Sequence, residues 1–262
     1  MAVDKFIQSV WSKQIMDDLE LKCKLVDNCL RDYEGDCKYA QSVHILGVGD
    51  PTISAYNGNT DITIEEMSDT EQILYIDQAN YFAFYVDDVN KAQSVPGLAE
   101  KYRAKAVHGL AVKRDSKVAE VIAAVANKTT IENTTEAGVK AAIDKAIVAL
   151  RERNFDEDGV IEITPATYNL FKNHLITTST NNPELIRKGV VGMYDTFEVI
   201  MSNNLATPGC VRGKKAVAFA GQINEVEALR AERRFKDIIR GLDTFGVKVI
   251  DEKRIQVLVA KA

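Results

Sequence analysis

The residues that come nearest to chemistry in this sequence fall into a few groups. Gly209-Cys210-Val211-Arg212-Gly213-Lys214-Lys215 looks at first like a phosphate-binding loop, whose backbone N–H groups and lysine would cradle a nucleotide. That motif needs about four residues between its glycines and a hydroxyl residue after the lysine. This stretch has three, followed by Lys215, so it predicts only a turn ahead of a strand. Asn154, Asp156, Asp158 and Gly159 copy the first half of a calcium loop, with oxygen ligands at alternate positions before a glycine. Pro165 stands where the closing bidentate Glu belongs, which leaves an acidic turn between a helix and a strand. His44, His108 and His174 are far apart and lack the HExxH spacing of a zinc helix. A nucleophilic pair of Cys210 with His174 would have to form in space, because no local signature surrounds either residue. Gly47-Val48-Gly49 lacks the third glycine of a dinucleotide turn. No catalytic, cofactor or metal set is expected, and the chain is not expected to be an enzyme.

Composition narrows the class. In 262 residues, 46% hydrophobic and 27% charged, there is material for a sizeable core in one large domain or two modest ones. No apolar run approaches the roughly 18 residues of a membrane span, and Met1-Ala2-Val3-Asp4-Lys5 does not open like a signal peptide. The expectation is a chain neither secreted nor membrane-bound. Cys23, Cys29, Cys37 and Cys210 form no CxxC pair and are expected as free thiols in a reducing cytoplasm. A net charge of -5 argues against a protein whose main work is gripping phosphates.

The elements that would position any site are readable in outline. Ile7, Trp11, Ile15 and Leu19 mark a narrow helical stripe in an N-terminal arm, after which Leu21, Cys23 and Leu25 alternate as an extended stretch. From Asp36 to Asp88 the pattern is β, a hairpin-like excursion broken by glycine turns and closed by a strand-rich segment from Gln72. In that segment Tyr81, Phe82, Phe84 and Tyr85 offer large apolar area on both faces, which predicts cover on both sides. Leu98, Tyr102, Ala106, Leu110, Val118, Ile122 and Val125 predict a helix of about thirty residues, with a bend where Gly109 and Lys113 to Ser116 interrupt the stripe. A second helix follows over roughly Thr135–Asn154, then a strand Val160–Ile163 and a helix opening at Thr164-Pro165. Strands near Phe197–Ser202, Ala216–Ala220, Gly246–Ile250 and Ile255–Val259 complete an α+β class.

Several stretches then carry a family likeness. Ile76-Asp77-Gln78 through Asp87-Asp88-Val89, with the helix from Leu98, looks like the return of an extended loop to a spine helix. Phe197-Glu198-Val199 and Ser202-Asn203-Asn204-Leu205 match a strand common in coat proteins, and Glu232 to Gly241 with Thr244 to Ile250 match closing strands. In this order the chain resembles the tailed-bacteriophage major capsid proteins of the Hong Kong ninety-seven type fold, which encapsulins share. The resemblance implies an arm over residues 1–33, an extended loop over 34–88, a peripheral domain with the spine helix over 89–130 and 221–248, and an axial domain over 131–220 and 249–262. It implies a structural protein that assembles in the bacterial host cytoplasm into pentamers and hexamers of an icosahedral virion shell around double-stranded DNA. Its partners would be itself, a separate scaffolding protein, since no long helical extension precedes the arm, and a portal protein. An encapsulin-like compartment is the alternative of the same fold, and a cytosolic α+β enzyme the alternative of another class. Relatives that crosslink use a loop lysine; Lys38 is the sole lysine in this loop, so crosslinking is not expected.

Charge sharpens the expectation. Between Asp36 and Asn90 there are ten acidic residues and one basic, Lys38. Between Lys91 and Thr130 there are eight basic and three acidic. In the family the loop drapes over the next subunit's spine, and complementary charge would steer and register such a contact. Asp61, Glu65, Glu66, Asp69 and Glu71 are therefore expected to meet Lys113, Arg114 and Lys117 of a neighbour. The plainer reading is that both runs are solvated faces.

Overall fold

The computed structural model describes residues 23–34, 42–48, 69–87, 98–178, 191–230 and 236–261. The arm stripe Ile7–Leu19, Lys38, and the loop acids Asp61, Glu65 and Glu66 lie outside these residues.

A hairpin comes first. Strand β1 (Ser42–Val48) pairs antiparallel with β2 (Asp69–Tyr75), in a register running from Ser42 opposite Tyr75 to Val48 opposite Asp69. Its base is not free: Val43, Ile45 and Leu74 are buried with Ala218 and Ala220. Gln72 Nε2 donates to the Ile250 carbonyl at 3.1 Å, and Lys248 Nζ to that of Ile73 at 2.9 Å. Gly246 permits the approach, because a Cβ there would meet the Tyr75 carbonyl oxygen at 2.2 Å.

The strand-rich segment from Gln72 is two strands in different sheets. Chain direction breaks at Ile76–Asp77, and β3 (Gln78–Asp87) joins β10 (Lys236–Val249) and β9 (Val217–Arg230) in the order β3-β10-β9. One face of this sheet is covered, since Phe82, Phe84, Ile239 and Phe245 pack in the core with helix α1 (Leu98–Ala123). On the other face Tyr81 is 79% and Tyr85 65% exposed, so among the described residues the expected cover on both sides exists on one only.

Helix α1 runs 26 residues, about 39 Å at 1.5 Å per residue, without the expected interruption. Its buried positions are Val107, Leu110, Ala111, Arg114, Asp115, Val118, Ala119 and Ile122, an unbroken stripe at three- and four-residue steps. Arg114 and Asp115 are part of the stripe, and they break it only if charged residues are assumed to face water.

The second sheet is mixed, in the order β4-β11-β8-β5-β7-β6: β4 (Lys128–Ile131), β5 (Gly159–Ile163), β6 (Met193–Tyr194), β7 (Phe197–Met201), β8 (Gly209–Gly213) and β11 (Ile255–Ala260). Helix α2 (Glu136–Arg151) starts as its sequence requires, with Thr135 Oγ1 accepting from Gly138 N at 3.2 Å. Helix α3 (Pro165–Thr178) has proline as its first residue. Both helices cover the face carrying Ile161, Ile163, Val211 and Leu258. Cys210, Ile255 and Val257 belong instead to the cluster that contains α1 and the segment from Cys23 to Cys29.

Candidate functional site

Two regions combine charge with defined geometry: a buried seat that grips the chain's first described segment, and the exposed surfaces of the hairpin, α1 and β3.

The seat is built from three charged residues with almost no exposure. Glu162 in β5 and Arg212 in β8 share a face because Val160 pairs with Arg212 and Glu162 with Cys210 across the antiparallel ladder. Arg212 Nε and Nη2 donate to the two Glu162 carboxylate oxygens at 3.0 and 2.7 Å, and both side chains are fully buried. The guanidinium's remaining donors reach out of the sheet: Nη1 to the Asn28 carbonyl at 2.7 Å and Nη2 to that of Leu25 at 3.1 Å. From the opposite side, Asp115 of α1 accepts backbone N–H bonds from Lys24, Leu25 and Val26 at 3.2, 3.1 and 3.4 Å. The strap Cys23–Leu30, which includes the 3-10 turn Val26–Asn28, thus has its N–H groups held by α1 and its carbonyls held by the second sheet. Leu30 continues the attachment, donating to the Val217 carbonyl at 2.8 Å and accepting from Phe219 N at 2.9 Å.

Electrostatics follow from burial. For Arg212, burial opposes the charge, but the adjacent Glu162 carboxylate outweighs it and holds the guanidinium above its ordinary value. Burial pushes Asp115 up from the usual carboxylate value, against the pull of its backbone donors. Burial likewise pushes the Cys29 thiol up to about 11 and the Cys23 thiol up to about 12. Cys210 is raised well above its ordinary value by burial, and its thiol donates to Glu162 at 3.3 Å. A thiol so held is a poor nucleophile. It also sits in the cluster with the strap, whereas the helix of His174 packs in the cluster on the sheet's other face, so no Cys210–His174 pair forms.

The other candidates resolve as structure. Gly209–Gly213, expected as a turn, is the buried strand β8; a Cβ on Gly209 would meet the Glu162 carbonyl oxygen at 2.7 Å. The turn comes after it, a 3-10 turn over Lys214–Ala216. Asn154 adopts a left-handed backbone with φ 59°, and Asp156 and Asp158 are exposed on the way into β5. No cluster of metal-ligating side chains occurs among the described residues.

The docking residues expected on the spine separate. Arg114 is a correction: it is buried, donates to Asp243 of β10 at 3.1 and 2.5 Å, and lies over the Phe219 and Phe245 rings at 5.4 and 5.9 Å. A guanidinium so enclosed is not available to a neighbour. Lys113 is exposed, and Lys117 pairs with Glu120 at 3.1 Å on the helix surface. On the hairpin, Glu71 is exposed and bonded to His44 across the two strands, and Asp69 begins β2. The seat residues Asp115, Glu162 and Arg212 were missed by reading sequence, although one lone charge in each of two apolar strands, of opposite sign, was a usable signal.

A family model described as phage capsid protein matches residues 70–258. No curated protein matches. Among solved structures, a chain from Mycobacterium phage Che8 superposes with a TM-score of 0.76 at 25% identity, covering 90% of each chain. A chain of the capsid of cyanophage P-SCSP1u gives 0.74 at 17% identity, covering 89% of this chain and 86% of that one. A virus-like particle from Pyrococcus furiosus gives 0.60 at 13% identity, covering 96% and 99%.

Proposed function

This chain belongs to the phage capsid protein family, matched over residues 70–258, and from that premise we propose the way in which it builds its shell. It is a structural protein with the Hong Kong ninety-seven type α+β fold, a major capsid protein of an icosahedral shell that assembles from copies of itself. The proposal is that the copies form pentamers and hexamers and enclose double-stranded DNA without reading its sequence. Modest contacts, repeated and closed by symmetry, hold such a particle together. On this reading the second sheet with α2 and α3 is the axial domain, and the first sheet with α1 the peripheral one. The protein performs no catalysis, assembles in the host cytoplasm, and works with a scaffolding and a portal protein.

The hairpin is the reaching element. Its base is anchored on its own chain through Leu74, Gln72 and Lys248. We place its acidic tip on the α1 surface of the next copy, at Lys113 and Lys117, with Arg114 removed from the contact. The observation that carries the functional reading is the family match across most of the chain. Electron microscopy of the purified protein tests it: empty or DNA-filled shells are expected, whereas cargo-filled compartments or the absence of particles contradicts it.

A further inference from the structure

Strand β3 lies at the edge of its sheet, and its ten residues run without a charge or a proline until Asp87 at the end. Natural edges of that length are ordinarily guarded by charge, proline or cover, because their free backbone groups invite another strand. Among the described residues nothing covers this one, and along β3 its outward face carries Tyr81, Ala83 and Tyr85, with the exposed Arg240 of β10 opposite Ala83. Tyr81 lies opposite Leu242, and Tyr85 opposite Ile238, which in turn lies opposite Leu229. Of these, Tyr81, Tyr85, Leu229 and Leu242 are exposed.

The order of residues along the edge identifies the occupant. Tyr81-Phe82-Ala83-Phe84-Tyr85 reads the same in both directions about Ala83. Two copies of a palindromic strand, paired antiparallel about its centre, set each residue opposite its like. Tyr81 then faces Tyr85 of the second copy on the exposed side, and Phe82 faces Phe84 on the side packed against α1. The pairing also keeps sides consistent: a residue opposite itself across a two-fold axis leaves both copies' α1 helices on one face and all four tyrosines on the other. Aromatic cross-strand pairs of this kind are among the favourable ones. The small Ala83 at the axis leaves room between the flanking rings.

We infer that β3 is a self-pairing edge, joining two copies of this chain through an isologous antiparallel contact centred on Ala83 and making one six-stranded sheet of two three-stranded ones. The inference rests on the shell reading for the presence of many copies, and it adds which surfaces meet.

The test uses Ala83→Cys in a Cys37→Ser background; Cys23, Cys29 and Cys210 are buried. Shells of this variant are treated with a short bis-maleimide, and the same is done for Leu229→Cys, on the far edge of the sheet. A dimer band from most chains of the Ala83→Cys shells and from few of the Leu229→Cys shells is expected. Intact shells without the Ala83 crosslink, or with more crosslink at Leu229, overturn the contact while leaving the shell reading in place. Absence of shells from the unsubstituted protein overturns the shell reading; the crosslink is then read on the soluble protein, where its absence overturns the contact too. Ala83→Asp, exposed in the single subunit, is expected to keep the subunit's melting temperature and to reduce shell yield at least tenfold. Unchanged yield contradicts the pairing.

Discussion

The strap seat is built from charged side chains and the β3 edge from aromatic ones, and they serve opposite ends. In the seat, Glu162, Arg212 and Asp115 are buried and their hydrogen bonds close within one chain, so nothing is left for a neighbour. At the edge, Tyr81 and Tyr85 stand out from a sheet whose other face is already packed. The contrast separates residues that define the subunit from residues that join subunits, and position along the chain does not predict which is which. Lys113 and Arg114 are adjacent, yet one is on the surface and the other is enclosed with Asp243.

The largest effect is expected in the seat. Arg212→Met leaves Glu162 buried without its partner, which should cost about 3–5 kcal/mol of subunit stability in denaturant unfolding. The double variant Glu162→Leu with Arg212→Met removes both charges and should recover much of that loss, although the strap carbonyls of Leu25 and Asn28 lose their donor. A double variant no better than the single would mean the pair itself carries little. Next comes Arg114→Met, expected to cost about 3 kcal/mol because Asp243 is then buried alone. By contrast Lys113→Glu with Lys117→Glu should leave unfolding within about 0.5 kcal/mol and reduce shell yield at low salt. Normal shells from that pair would return the acidic hairpin to the status of a solvated face.

The smallest effect is a pH dependence. Burial raises the Asp115 carboxyl in the folded chain, so folding favours its protonated form. The folded state binds more protons in the window between the ordinary carboxylate value and the raised one, and there this group's contribution to stability grows as pH falls. Stability curves of the unsubstituted protein and Asp115→Asn, subtracted across mildly acidic pH, should show that slope; a difference of opposite sign contradicts it.

Much of the fold was legible because periodicity reports burial. The face Val139 to Leu150 of α2 and the Thr164-Pro165 start of α3 follow directly from spacing and cap chemistry, and the presence of the hairpin, though not its register, from β patterning broken by glycine turns. What periodicity concealed were charges inside the core. Arg114 and Asp115 occupy core positions of α1 but look like a break in its stripe, since their partners, Asp243 and the strap backbone, are 129 and about 90 positions away. The division at Ile76–Asp77 was equally hidden, because the apolar end of β2, Ile73 to Tyr75, runs into β3 with no glycine or proline between them, and the two strands join different sheets. The capsid resemblance, resting on the order of elements, survived these local errors; the docking set, resting on local charge, lost Arg114.

Hydrogen exchange on soluble subunits and on assembled shells tests the division most directly. The account expects the amides of Leu25, Val26 and Leu30 to be protected in both states, while those β3 amides between Gln78 and Tyr85 that do not bond to β10 gain protection only in the shell. A strap that becomes protected only on assembly, or a β3 edge equally protected in both, would contradict it.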